Sequence, residues 1–317
     1  MIRAQDELDD FITAEMDQPV MDEARFLVQK LVQEMGDQAQ AVLFYGSCLR
    51  TGDGAGLMDF YILTKGPQGY GDGLISRAVH KAVPPFVRYF KSEYEGRPVH
   101  AKVAIMTLSR FAALARPGAL DISIWARFAQ PAALIYARDD MAKEAVHETL
   151  RDAVMTAMTW AVCFGPDCGA PGAFWRALFR ATYAAELRIE DASRADLIVE
   201  LAAARYDNLF LPAMMAAGFL PASAGKNTYH IPMEDDRRKA MKRQWLARRM
   251  ASKSVNLLRI LKGAVTFEGR ADYVAWKIER RTGITLTLTP WQRAHPLLSA
   301  PQILAQMWKK GAFQKRH

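Results

Sequence analysis

The residues best suited to chemistry in this chain lie within one short stretch. Ala41-Val42-Leu43-Phe44-Tyr45 is apolar and runs into Gly46-Ser47; twelve residues after the serine, Asp59 stands alone in Leu57-Met58-Asp59-Phe60-Tyr61-Ile62-Leu63. A Gly-Ser turn at a strand end presents backbone N–H groups, and glycine lets a phosphate approach the backbone closely. A carboxylate on the neighbouring strand then holds a divalent cation against that phosphate. Gly46, Ser47 and the adjoining Tyr45 are therefore candidates for binding a nucleoside triphosphate, with Asp59 as the ligand of Mg²⁺ or Mn²⁺. The same residues would also serve as an ordinary turn and a capped acid. An Asp-x-Asp metal pair would need a second acid where Tyr61 stands.

The elements around this stretch read as a mixed α/β unit. Phe26, Leu27, Leu31, Val32 and Met35 repeat at the helical period over Asp22–Met35, and Gly36 ends the run. Strands are expected at 41–45 and 57–63. The loop Gly66–Gly73 is rich in breakers, with a short helix after it to Val83. Phe86–Tyr94 and Val99–Thr107 read as a strand pair joined across Glu95-Gly96-Arg97-Pro98. Beyond about residue 139 the period becomes helical, over Met141–Phe164, Gly172–Glu190 and Arg194–Ala217. Met158, Trp160, Phe174, Trp175 and Phe179 are expected in the core. A basic helix over Asp235–Lys262, a strand at 284–288 and an amphipathic helix over Pro301–Lys310 complete the reading. The expected class is α+β, divided as 1–138, 139–233 and 234–317.

At 317 residues with half of them apolar, the chain suits two globular domains with full cores. Net charge is +8, and Glu234 to Arg281 holds fourteen Lys or Arg against six Asp or Glu, an excess equal to that of the whole chain. Such a segment suits a polyanion: nucleic acid, a triphosphate or an anionic bilayer. Arg237, Arg238, Lys239, Lys242, Arg243, Arg248 and Arg249 are the candidates for headgroup contact, with Trp245 and Trp308 at the interface or in the core. Cys48, Cys163 and Cys168 have neither disulfide density nor zinc spacing and fit a reducing compartment. His80, His100 and His230 read as surface or turn residues. The acidic start is not a signal peptide, and the uncharged run Asn208–Gly225 is too broken by proline and glycine to span a bilayer. A cytoplasmic protein, peripheral to the inner face of a membrane, is expected.

Several segments in order resemble the mitochondrial-type CTP:phosphatidate cytidylyltransferase family, the translocator assembly and maintenance family, with its bacterial relatives. Phe44-Tyr45-Gly46-Ser47-Cys48 is similar to its Tyr-Gly-Ser-Gly, with Cys48 at the second glycine. Leu57-Met58-Asp59-Phe60 is similar to its apolar-apolar-Asp-Phe, a signature that also has one acid. Ala101-Lys102-Val103 is like its Lys-Tyr-Gly-Val strand. Trp125–Pro131 is like its Ala-Gly-Arg-x-x-Lys-Pro turn, keeping Arg127 and Pro131 with Gln130 at the lysine. Glu190–Val199 through Tyr206 and Leu209-Phe210 resembles its acidic turn and helix. The match spans roughly residues 41 to 215 and describes a divergent member.

The resemblance implies a nucleotidyltransferase-like mixed sheet followed by a mainly helical, winged-helix-like domain. It also implies transfer of CMP from CTP to phosphatidate, giving CDP-diacylglycerol and pyrophosphate at a membrane surface. Lys102 and Arg127 would then neutralise phosphate charge, and Glu186, Glu190 or Asp191 would offer a second metal ligand. Two alternatives stay open: a nucleotidyltransferase acting on another phosphorylated acceptor or RNA, and a nucleotide-binding protein without catalysis. Aromatic residues are few in the basic segment, so nucleic acid is the less expected partner. Acyl preference and oligomeric state have no signature.

Overall fold

The computed structural model describes residues 2–70, 78, 80–185, 193–266, 269–282, 287–294 and 302. Five strands form one mixed sheet: β1 (Ala39–Tyr45), β2 (Leu57–Thr64), β3 (Phe86–Tyr94), β4 (Arg97–Thr107) and β5 (Ala132–Ala137), in the order β3-β4-β2-β1-β5. Neighbours are antiparallel except β2 and β4, which run parallel.

Period-two alternation assigns the two faces. Met58, Phe60 and Ile62 join Val42, Phe44, Val103 and Ile105 beneath α2 (Asp22–Met35), which contributes Leu27, Val28 and Leu31. The opposite face carries Asp59, Tyr61 and Leu63. Its apolar part is covered by α1 (Ile2–Met16), α4 (Leu108–Ala115), α5 (Ser123–Phe128) and α6 (Asp140–Phe164). Asp139 caps α6 by accepting from the Ala142 N–H at 2.8 Å, one residue ahead of the expected start.

The core on this second face runs from Leu8 through Leu43, Trp125, Trp160 and Trp175 to Phe210 and Trp245 without interruption. The boundary expected at 138/139 thus falls inside one continuous core. Met158, Phe174 and Phe179 are buried in it as expected. α7 (Pro171–Ala185) follows. The single helix expected over 194–217 is two, α8 (Ser193–Glu200) and α9 (Ala203–Ala216). The chain turns between them because Ile198 and Val199 and then Tyr206, Leu209 and Phe210 must all reach the same core. Arg180 of α7 holds α8 through Asp196 at 2.6 Å. A small sheet, order β6-β8-β7, is formed by β6 (Cys168–Gly169), β7 (Ala222–Gly225) and β8 (Thr228–His230).

The basic stretch is α10 (Asp235–Thr266), and α11 (Arg270–Thr282) and α12 (Pro290–Ala294) follow it. α10 is anchored rather than free. Trp245 inserts between Trp160 and Phe164 with ring centroids 4.9 Å from each, so it is a core residue. Arg259 donates to Asp121 at 2.5 Å, to Ser123 Oγ at 2.8 Å and to the Pro84 carbonyl at 2.7 Å. Burial works to raise the Asp121 pKa, but Arg259 and Ser123 prevail and hold it below the usual value. No helix among the described residues is long and apolar enough to cross a membrane.

Glu186, Glu190, Asp191 and Trp308 lie outside the described residues, as do most of the helices expected before Val83 and over 301–310. Of the strand expected at 284–288, Thr287 and Leu288 are described and belong to no strand. Two histidines correct the surface reading: His80 is 1% exposed and His100 7%. His80 stacks on Phe86, and His100 lies against Trp276 of α11. Burial pulls each pKa down to about 4, with Lys262 adding to the effect at His80 and Lys91 at His100. Burial likewise raises the Tyr89 pKa, and the Tyr89 hydroxyl shares a hydrogen bond of 2.6 Å with Nδ1 of the neutral His100.

Two outcomes follow from these contacts. Arg259→Ala leaves Asp121 charged and unpaired and is expected to cost about 3–5 kcal/mol in urea unfolding. On acidification the unfolded chain protonates its histidines near the ordinary value of 6.5, while folded His80 and His100 remain neutral to about 4. Stability therefore falls as pH drops through that window. Thermal midpoints measured from pH 7 to pH 4.5 should decline, and His100→Gln should decline less.

Candidate active site

The site is assembled by register. Tyr45, the last residue of β1, stands opposite Asp59, and Asp59 stands opposite Lys102 across the parallel β2/β4 pair. All three side chains project from the same face, at the edge where the covering helices end. Immediately after Tyr45, Gly46 adopts φ 91°, a conformation that favours glycine. A Cβ at Gly46 would lie 2.8 Å from Asp59 Oδ2. The backbone of the turn and the carboxylate are thus in direct apposition, as a phosphate–metal site requires.

Ser47 opens the short helix α3 (Ser47–Thr51) and is exposed. Cys48 points away from it: its thiol donates to the Leu57 carbonyl at 3.2 Å, and Gly56 leaves room for the sulfur. Cys48 therefore packs inward and does not fill the cleft.

Three cations surround Asp59. Lys102 is abreast of it, Arg127 comes from α5, and Arg50 comes from α3. Burial raises the Asp59 pKa above the usual carboxylate value, opposed by Lys102, Arg127 and Arg50 in that order. Arg127 rests on an aromatic platform. It donates to the Tyr61 hydroxyl at 3.1 Å, and its guanidinium lies 5.7 Å from the Tyr45 ring centre and 5.9 Å from that of Tyr61. Tyr61, where a second acid would stand, is buried among Tyr45, Phe111 and Phe128.

Arg50 is the site residue that sequence reasoning missed; it lies three residues after Ser47 on the same short helix, with no local signal to mark it. Arg50 Nη1 donates to Gln130 Oε1 at 3.4 Å, while the Gln130 amide donates to the Ala126 carbonyl at 3.2 Å. Gln130 thus positions a cation instead of supplying one.

The donor set fits a divalent cation of the magnesium kind. Such an ion is held by one or two carboxylates together with substrate phosphates and water, and Asp59 supplies one. Among the described residues no three His, Cys, Asp or Glu side chains converge to hold a metal by themselves. At the same strand ends, a cavity of about 410 Å³ is lined by Gly54, Tyr94, Arg97, His100, Trp276 and Glu279.

The basic set on α10 divides. Lys242, Arg243 and Arg249 are exposed, Lys239 pairs with Asp236 at 3.3 Å, and Arg238 pairs with Asp167. Arg237 is exposed, with its guanidinium 5.4 Å from the Phe219 ring centre. Arg248 corrects the sequence reading: it is 8% exposed and turned inward onto the Trp160 ring and the Pro117 carbonyl. No protein-family model matches this chain, and no curated protein matches it.

Gly46→Ala must either push the Asp59 carboxylate aside or shift the turn. We expect it to lower stability by about 1–3 kcal/mol, read from thermal or urea unfolding. Unchanged stability would mean that the turn and Asp59 are not apposed.

Proposed function

We propose that this chain is a nucleotidyltransferase that transfers CMP from CTP to phosphatidate, releasing pyrophosphate and forming CDP-diacylglycerol. The observation that carries the reading is the half-buried carboxylate of Asp59, set against the Gly46 turn and ringed by Lys102, Arg127 and Arg50. Three cations and one acid leave an excess of positive charge that a triphosphate would balance. The family resemblance selects cytidine and phosphatidate within that class.

The reaction asks for positioning and charge neutralisation rather than a strong base. A phosphate oxygen of phosphatidate, already ionised, forms the new bond to the α-phosphorus of CTP. The bond from that phosphorus to the oxygen of the β-phosphate breaks, and pyrophosphate leaves without a proton transfer. Gly46 and Ser47 would cradle the triphosphate, and Asp59 would hold Mg²⁺ or Mn²⁺. Such an ion would supply Lewis-acid stabilisation of phosphate charge. Lys102, Arg50 and Arg127 would take up charge developing on the leaving group, Arg127 kept in place by Tyr45 and Tyr61. Rigid cations of this kind need no reorganisation as charge shifts.

The helices α6 to α9 with the β7–β8 hairpin are read here as a winged-helix-like unit. α10 supports contact with a membrane surface, since Leu246, Met250, Leu257 and Leu258 are exposed on it beside Arg243 and Arg249. A helix with apolar and basic residues at its surface suits the interface of an anionic bilayer, where each cation contributes on the order of 1 kcal/mol.

The decisive assay is pyrophosphate release from CTP and Mg²⁺ with phosphatidate in mixed micelles. Lipid-dependent release is expected, abolished by Asp59→Ala and reduced about 10²–10³-fold by Lys102→Ala. Release with another acceptor only would move the proposal to that acceptor. Nucleotide binding without release would favour the non-catalytic alternative. Binding to anionic vesicles should weaken strongly with salt, and should be lost in Met250→Glu; salt-insensitive binding would count against the membrane reading.

A further inference from the structure

A second positively charged site lies away from Asp59, between α6 and α10. Here a cavity of about 340 Å³ is lined by Thr159 and Trp160 of α6, Pro117, and Arg237, Gln244 and Arg248 of α10. Among the described residues no carboxylate lines it. Arg248 is the buried member, and no ion pair from a described residue reaches it. Its Nη2 donates to the Pro117 carbonyl at 3.0 Å and its guanidinium lies 4.9 Å from the Trp160 ring centre. Its Nε is enclosed and has no acceptor. Burial lowers its pKa, the mark of a cation that the protein has desolvated without supplying an anion.

Arg237 reaches the same cavity from three helical turns away, and among the described residues it too forms no ion pair. Gln244, exposed on the turn between them, adds an amide donor. Buried charges are ordinarily paired, so the buried Arg248 guanidinium, on a cavity that no described carboxylate lines and that the exposed Arg237 also borders, describes a receptor whose counter-charge comes from outside.

We propose that this cavity binds a phosphate monoester, held between Arg237 and Arg248 with Gln244 as a further donor. That chemistry is shared by inorganic phosphate, a small organic phosphate and an anionic lipid headgroup. The site does not depend on the transferase reading, because none of its residues belongs to the Asp59 cluster.

The test is titration with inorganic phosphate against chloride at matched ionic strength, followed by calorimetry and thermal shift. It is made in an Asp59→Asn, Lys102→Ala background, which removes anion binding at the catalytic cleft. Saturable binding is expected, at least about tenfold weaker in Arg237→Ala and in Gln244→Leu. Both substitutions lie at exposed positions, where folding is least disturbed. Binding that Arg237→Ala leaves intact, or its absence in the starting background, overturns the proposal. Vesicles of phosphatidylcholine with phosphatidate separate the sources. If saturating phosphate, but not chloride, releases the bound protein, the occupant is a headgroup. If phosphate binds with the expected Arg237 dependence and releases nothing, the occupant is a soluble phosphate. Either result supports the site.

Discussion

The site depends on a contact that leaves no room for a side chain. The Gly46 backbone turns at φ 91° directly against the Asp59 carboxylate, and even a methyl group would intrude. This apposition dictates much around it. Asp59 has to sit at the first turn of β2, in register with the last residue of β1. The strand after the turn must therefore return antiparallel beside β1, and the 52–56 loop must be short. Burying that carboxylate is unfavourable by itself, so cations have to be brought in from three separate elements. One of them, Lys102, arrives through β-sheet register and the other two through helices.

Those helices are held by a buried ion pair far from the chemistry in sequence. Arg205 of α9 pairs with Glu15 of α1, one amino group at 3.0 Å, and the other donates to the Ala129 carbonyl at 3.0 Å. Glu15 also accepts from the Ala132 N–H at 3.4 Å. The pair thus clasps the turn from α5 into β5, and Arg127 and Gln130 lie on or beside that turn. Helices α1 and α9, which carry no candidate catalytic group, set the direction of Arg127 and through Gln130 that of Arg50. The same continuous core places Trp125 of α5 6.2 Å from Trp245 of α10, so the basic helix leans on the element that carries Arg127.

Legibility in the sequence followed the strength of local periodicity. The strands around Gly46 and Asp59, helix α2 and the long helices α6 and α10 were visible because each shows one apolar face over many residues. Helix α5 was not, since Ile124, Trp125, Ala126 and Phe128 are all buried and a helix enclosed on every side has no amphipathic period. β5 is six apolar residues, three of them alanine, and gives no alternation. The break between α8 and α9 falls at Leu201-Ala202, residues that favour helix, and is imposed by the core rather than by a local breaker. Asp59 was readable from its strand, and Lys102 from the resemblance of Ala101-Lys102-Val103 to the cytidylyltransferase strand. Arg50 was not, because nothing local distinguishes a cation that faces a cleft from one that faces solvent. The same difficulty in reverse placed Arg248 on the surface.

The parallel pairing of β2 with β4 has a consequence for how this site tolerates change. Asp59 and Lys102 are far apart along the chain, and no covalent turn sets their alignment. Their meeting is an outcome of strand register, and side chains in a strand alternate strictly between faces. A slip of one residue in β4 would send Lys102 to the α2 side of the sheet and bring Ala101 or Val103 to the cleft. The apolar residues Val99, Ala101, Val103 and Ile105 forbid that slip, since it would turn them out of the α2 core. Insertions in the connection from β2 to β3, or at the β3–β4 hairpin, can therefore accumulate without altering the chemistry. The aliphatic residues of β4 that never touch a substrate act as its proofreaders, rejecting any alignment in which the charged partner faces the wrong way.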